Sequence, residues 1–234
     1  MSCNLILPRD DASPRLANLR FSMRVVSASD LSLLAAQRLR AGVFVQELGW
    51  VAACACGLEH DRCDAVATHF VLLVSSGSTG RGDLSSQWSV AGYARIMLPE
   101  HTFMLEREFP GLLPQGFAIH EPARSFEVSR FVVHPRARGK LDAEGRSAAE
   151  HLQRDIARWA LAHDRDHLYS VCETRHVRAL RLRGLPVQRF GRVMEYTPGV
   201  HTCAMRLDLT VAGEILALRR PRDAHWYTQG VARW

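Results

Sequence analysis

Hydrophobic and polar residues follow two periods along this chain. Alternation with a period of two, the mark of a half-buried strand, runs through Phe21–Val26. Apolar runs of strand character cover THFVLLV from Thr68 and WSVAGYARIML from Trp88. They flank SSGSTGRGDLSSQ (75–87), whose Gly and Ser content reads as a mobile loop, so the three segments predict a β-hairpin with a long tip. Phe126–Val133 (FEVSRFVV), Leu168–Cys172 and a closing pair, Gln188–Tyr196 and His201–Leu209 around Pro198-Gly199, complete the predicted strands. Helical spacing takes over elsewhere. Ser29 or Asp30 caps a helix to about Gln46, with Leu31, Leu34, Leu39 and Val43 near one face. Ala143–His163 reads as a long amphipathic helix, and Thr174–Leu182 as a shorter one ending at Gly184. The order β α β β β α β α β β implies an α/β fold: a single domain over 1–234 with a mixed, twisted central sheet flanked by helices. Two hairpin-like pairs fit a doubly wound nucleotide fold less well. Residues 1–19 are expected to form a loosely ordered extension.

Composition narrows the class. With 234 residues, 47% hydrophobic and 23% charged, the chain has an ordinary globular balance, which excludes a disordered or collagen-like protein. The uncharged, mainly apolar stretch Leu48–Leu58 falls short of the roughly 18–20 residues that span a bilayer. The start, MSCNLILPRDDASPR, has neither a basic opening nor a long apolar core. No integral membrane segment and a cytoplasmic location are therefore expected. The cysteines at 3, 54, 56, 63, 172 and 203 are then expected to be reduced thiols. Cys54, Cys56, His60 and Cys63 lack the paired spacing of zinc sites, so no metal is expected. Net charge is +6, and Lys140 is the sole lysine. Arginine suits bidentate contacts with phosphate or carboxylate, so nucleic acid, anionic membrane and an acidic protein or cofactor are the candidate partners.

Candidate chemistry lies in three sets. Arg40 and Phe44, four apart on the first helix, share a face and precede Trp50; Glu59, Asp61 and Asp64 follow in a loop where acids can converge on one cationic group or hold Arg40 between them. In FEVSRFVV, alternation puts Glu127, Ser129 and Phe131 on one face and Val128 and Arg130 on the other. If Glu127 and Arg130 serve one pocket, the strand must contain a β-bulge. HPRARGK (134–140) offers Arg136, Arg138, Gly139 and Lys140 before the long helix, a combination that binds phosphate or pyrophosphate.

Together these elements resemble a known family. R-x3-F-x5-W (Arg40, Phe44, Trp50), E-x-D-x2-D (Glu59, Asp61, Asp64), Arg95 leaving a strand before Pro99, F-M-L-x3-F-P-x-L (Phe103 to Leu112) and E-x-S-R-F (Glu127 to Phe131) are similar to the acyl-homoserine-lactone synthases of the LuxI type. The match runs over about residues 20–210. RFVVHPRARGK also resembles the phosphopantetheine segment of GNAT acyltransferases, whose fold these synthases share. The resemblance implies transfer of an acyl group from acyl-carrier protein or acyl-CoA to the amine of S-adenosylmethionine. Lactone closure then releases methylthioadenosine, a quorum-sensing signal is made, and no prosthetic group takes part. It implies catalytic roles for Glu127, Arg130 and Ser129, and S-adenosylmethionine binding by Arg40, Phe44, Trp50, Asp61, Asp64, Arg95 and Phe131. Phosphopantetheine or carrier binding falls to Arg136, Arg138, Gly139 and Lys140, with Arg146, Arg154 and Arg158 of the following helix as an electrostatic dock. The E-x-S-R strand also occurs in N-acyl amino acid synthases, which, with other GNAT-type N-acyltransferases, remain the alternative. Gly49-Trp50 and MLEREFPGLL favour the lactone makers. A DNA-binding reading of 143–183 is more remote, because a strand at 168–172 interrupts the two helices.

Overall fold

A computed structural model describes residues 19–27, 30–76 and 88–215. Ser29, the 1–18 extension and most of the expected 75–87 loop lie outside the described residues. The fold is α/β, built on one mixed seven-stranded sheet of order β1-β2-β3-β4-β5-β7-β6. The strands are β1 (Leu19–Val26), β2 (Thr68–Ser76), β3 (Ser89–Met97), β4 (Ser125–Val133), β5 (His167–Glu173), β6 (Val187–Thr197) and β7 (Val200–Asp208). β4 and β5 pair parallel, whereas β1–β2, β5–β7 and β6–β7 pair antiparallel. Contacts divide the chain into two compact units: residues up to Arg95 with Arg130–Asp155, and Ile96–Ser129 with Ile156 onward.

In the first unit, Asp30 caps helix α1 (Leu31–Arg40), its carboxylate accepting the Ser32 N–H at 2.8 Å. The helix widens into a π-helical turn, Ala41–Glu47, closed where Leu48 N–H reaches Val43 O at 2.9 Å. Leu33, Ala36, Leu39, Val43 and Phe44 pack on Val71, Tyr93 and Val132 as the core. The buried stripe therefore differs from the expected one: Leu31 is exposed and Leu34 half-buried. The long helix also starts later than expected. Ser147 and Glu150 form a reciprocal capping box, so α3 covers Ala148–Ala162. Residues 141–147 instead form a turn around Asp142, which accepts from Arg146 N–H and His151.

In the second unit, β5 leads into α4 (Thr174–Leu182), which stops before Gly184 at φ 82°. The β6–β7 hairpin changes register between Phe190 and Val193. Two short helices escape the sequence reading, α2 (Met104–Glu108) and α5 (Leu209–Ile215). No helix among the described residues is long and apolar enough to cross a membrane.

Candidate active site

The first unit gathers eight of the residues singled out from sequence: Arg40, Phe44, Trp50, Glu59, Asp61, Asp64, Arg95 and Arg130. Arg40 ends α1, and its guanidinium is fully buried. Its Nε donates to Glu59, while Nη1 and Nη2 clamp Asp64 at 2.8 and 3.0 Å. Arg95, equally buried on β3, donates through Nη1 to Asp61 at 2.5 Å and to Asp64 at 2.9 Å. Arg130 donates to Glu59 at 3.1 Å and to Asp61 at 3.0 Å. Each acid thus touches two arginines and each arginine two acids, a closed alternating ring of six charges. Local sequence fixes the acids: Asp61 caps the 3-10 turn Arg62–Ala65 by accepting Cys63 N–H, and Asp64 reaches back to Asp61 N–H.

The ring sets its own ionisation. Burial opposes the charge on Asp61, but the bond from Arg95 and the charges of Arg95 and Arg130 hold its pKa down to about 2. Burial likewise opposes Asp64, and Arg40 outweighs it, so this carboxyl also stays below its usual value. A polar chain backs the ring. Arg40 donates to Tyr93 Oη at 3.3 Å, Tyr93 O–H donates to His69 Nδ1 at 2.7 Å, and His69 Nε2–H donates to the Asp64 carbonyl at 2.9 Å. Burial lowers the His69 pKa, which keeps this relay neutral. His69 and Tyr93 were missed from sequence, since a lone histidine and tyrosine in apolar strands carry no spacing signal.

One side of the ring is open. The Arg130 and Asp61 side chains keep 18% and 28% exposure while those of Arg40 and Arg95 keep none. Arg130 lies 5.6 Å from the Phe44 ring centroid, and Phe44 stacks on the half-exposed Trp50 at 6.1 Å. Arg130 adopts φ 53°, a left-handed residue within β4. Ser129 is buried and Phe131 half-buried beside it.

Glu127 belongs to the second unit. It is fully buried, and its oxygens accept the Met104 and Leu105 N–H groups at 2.6 and 2.8 Å. The carboxylate is thereby aimed by the first turn of α2, a contact with no trace in the sequence pattern. Near it Phe103, Phe117, Tyr169 and Phe190 form an aromatic cluster with centroids 5.3–6.4 Å apart.

The basic loop is more committed than expected. Arg138 makes a bidentate pair with Glu47 at 2.6 and 2.8 Å, leaving Arg136 and Lys140 as its exposed cations. Gly139 takes φ 72°, and the turn at 141–147 separates the loop from the α3 N-terminus. Arg146 pairs with Asp142 and Glu144, and Arg154 and Arg158 are also engaged. Cys54 and Cys56 are joined as a disulfide, which corrects the expectation of reduced thiols for that pair; Cys63, Cys172 and Cys203 are in no disulfide. A two-residue spacing brings these sulfurs together in one exposed turn.

Against known proteins, the autoinducer synthase family model matches residues 25–210. The chain belongs to the autoinducer synthase family. Among its relatives, the acyl-homoserine-lactone synthase of Rhizobium radiobacter is 30% identical over 155 residues, 66% of this chain and 68% of that protein. That of Pseudomonas aeruginosa is 27% identical over 179 residues, 76% of this chain and 83% of that one. The crystal structure of the AHL synthase LasI superposes with a TM-score of 0.64 at 25% identity, covering 82% of this synthase and 91% of LasI. The N-acyl amino acid synthase FeeM, with a TM-score of 0.51 at 18% identity, covers 82% of this chain and 92% of its own and shares the fold alone. Family membership therefore favours the lactone makers over the N-acyl amino acid alternative.

Proposed function

We propose that this acyltransferase joins an acyl group from acyl-carrier protein or acyl-CoA to the amine of S-adenosylmethionine and then closes the homoserine lactone. In the first step the amine attacks the thioester carbonyl. A C–N bond forms, the C–S bond breaks, the pantetheine sulfur leaves as a thiol, and Glu127 takes the amine proton directly or through water. General-base help of this kind contributes roughly 10²–10⁴-fold. In the second step the substrate carboxylate attacks the γ-carbon, and the C–S⁺ bond breaks to release methylthioadenosine. Every atom is accounted for without a prosthetic group or an enzyme nucleophile, so Ser129 has a supporting rather than a covalent role.

The observation that carries this reading is the open edge of the charge ring. Asp61 suits a sulfonium or ammonium cation, Arg130 suits a carboxylate, and Phe44 with Trp50 offers aromatic faces for the cation and the adenine. Arg40 and Arg95 are wholly buried and spoken for, so they serve by holding Asp61 and Asp64 in place. The aromatic cluster around Tyr169 supplies an apolar wall for an acyl chain, where each methylene is worth about 1–3 kcal/mol of discrimination. Arg136 and Lys140 face solvent for the donor's phosphates or an acidic carrier. We place the reaction in the cytoplasm, where S-adenosylmethionine and acyl thioesters are made. Incubation with S-adenosylmethionine and a mixed pool of acyl carriers and acyl-CoA tests it. Methylthioadenosine with an acyl-homoserine lactone is the expected outcome; an acylated amino acid without methylthioadenosine overturns it.

A further inference from the structure

The second unit holds another set of convergent polar groups, which the proposed chemistry does not use. His120 and Glu121 lie in the turn that leads into β4, and His167 opens β5 in register with Ser125. One ligand atom from each of the three lies within 4.8 Å of the other two. His120 Nε2 is 3.0 Å from Glu121 Oε1, and His167 Nε2 is 3.9 Å from Glu121 Oε2.

His167 is the telling member. Its side chain is 9% exposed, yet neither ring nitrogen has a hydrogen-bond partner among the described residues. Oδ1 of the neighbouring Asp166, 3.7 Å from His167 Nε2, is buried and likewise unpaired. Leaving such groups unsatisfied is costly, and several orphans meeting at one point call for a shared partner.

We propose that His120, Glu121 and His167 form a divalent-cation site, with Zn²⁺ as its best-suited occupant. Two imidazoles and one carboxylate are the ligand set of zinc and neighbouring d-block ions, whereas Mg²⁺ and Ca²⁺ prefer all-oxygen shells. Zn–N and Zn–O bonds of about 2.0–2.1 Å put tetrahedral ligand atoms roughly 3.3 Å apart, close to the separations already present. His120 and Glu121 are about half exposed (54% and 45%), which gives the ion an entry and leaves a fourth position for water. Asp166 Oδ1 can accept a hydrogen bond from that water. Arg124 donates to Glu121 Oε2, the oxygen nearer His167, at 3.2 Å and to Asp166 Oδ2, while Glu121 Oε1 faces His120 and Asp166 Oδ1 stays unbonded.

The ligands are also held in advance. Ser125 Oγ donates to the His120 and Glu121 carbonyls at 2.6 and 3.1 Å, and His120 N–H donates to Tyr169 Oη at 3.1 Å. Glu121 is kept at φ 42°, a left-handed conformation uncommon for a side-chain-bearing residue. A bound ion would tie the turn before β4 to the start of β5, two residues from the Glu127–Tyr169 pair. It acts as a positioning clamp for β4.

Binding, not activity, is the readout. Cys54 and Cys56, if their disulfide is reduced, would form with His60 a second cluster that competes for thiophilic ions, so the chelator-treated protein is studied with and without C54S/C56S. Calorimetric titration of the C54S/C56S protein with Zn²⁺ is expected to give one equivalent bound per chain and a raised Tm. Titration with Co²⁺ is expected to produce visible d–d bands. Adding His120→Ala, at a half-exposed position that folding tolerates, should weaken binding by at least about tenfold, and His167→Asn should do the same. No uptake by C54S/C56S, or uptake unchanged by His120→Ala, overturns the site.

Discussion

Arg40 shows how much one side chain carries. Its guanidinium holds two carboxylates, Glu59 and Asp64, and has no exposure of its own. Arg40→Gln removes the charge and leaves both acids under-compensated in a buried site, which should cost roughly 3–5 kcal/mol of stability, read from the urea midpoint. Asp61 gives a pH prediction. Its folded pKa, about 2, lies below the ordinary 3.8, so its contribution is full above the ordinary value and fades as pH falls toward 2. The stability gap between wild type and Asp61→Asn should therefore narrow as pH falls from about 4 to about 2, where Asp61 is still half ionised; a gap that does not narrow over that range contradicts the pairing. For catalysis, Glu127→Gln should lower kcat by about 10²–10⁴ while S-adenosylmethionine still binds, and Trp50→Ala should chiefly weaken that binding. Near-normal turnover of Glu127→Gln across pH removes it as the base. The acids and arginines were legible because charged residues inside apolar strands and at fixed spacings are costly unless used. Which arginine faces which acid was not, because that depends on packing between segments tens of residues apart.

Elements were legible where one periodicity or one cap dominates. Thr174–Leu182 agrees with its expected bounds because a strand, an amphipathic stretch and Gly184 punctuate it. Ala148–Ala162 begins five residues past the expected start because the Ser147–Glu150 box and the Asp142 turn outcompete helix propensity at 143–147. The first helix buries Leu33 and Ala36 rather than Leu31 and Leu34, since both sets are apolar and only the sheet decides between them. The bend in β6 gives a sharp test. Gly191 has φ 67°, and a Cβ there would stand 1.8 Å from the Leu112 carbonyl oxygen. Gly191→Ala should cost about 1–2 kcal/mol from the left-handed backbone alone, and the clash adds to that. Thermal melting of the variant checks it; an unchanged Tm would mean the hairpin does not approach Leu112.

At the scale of the whole molecule, the net charge of +6 does not by itself locate a docking face. Arg40, Arg95, Arg130, Arg138 and Arg146 are each matched to acids, so the net figure says little about where a partner docks. The exposed Arg136 and Lys140 are the better measure. Arg136→Glu with Lys140→Glu should raise KM for an acyl-carrier protein more than for acyl-CoA, with a difference that shrinks at high salt. Equal effects on both donors, or none, move the dock elsewhere. Opening the alternating circuit between Asp61 and Arg130 leaves each with a single partner, Arg95 and Glu59, and one side to fill. Only a visitor that is itself dipolar leaves both satisfied. S-adenosylmethionine brings a sulfonium and a carboxylate; methylthioadenosine brings neither. If S-adenosylmethionine binds there as proposed, the spent nucleoside has nothing with which to keep the circuit apart and should be held less tightly than the reactant.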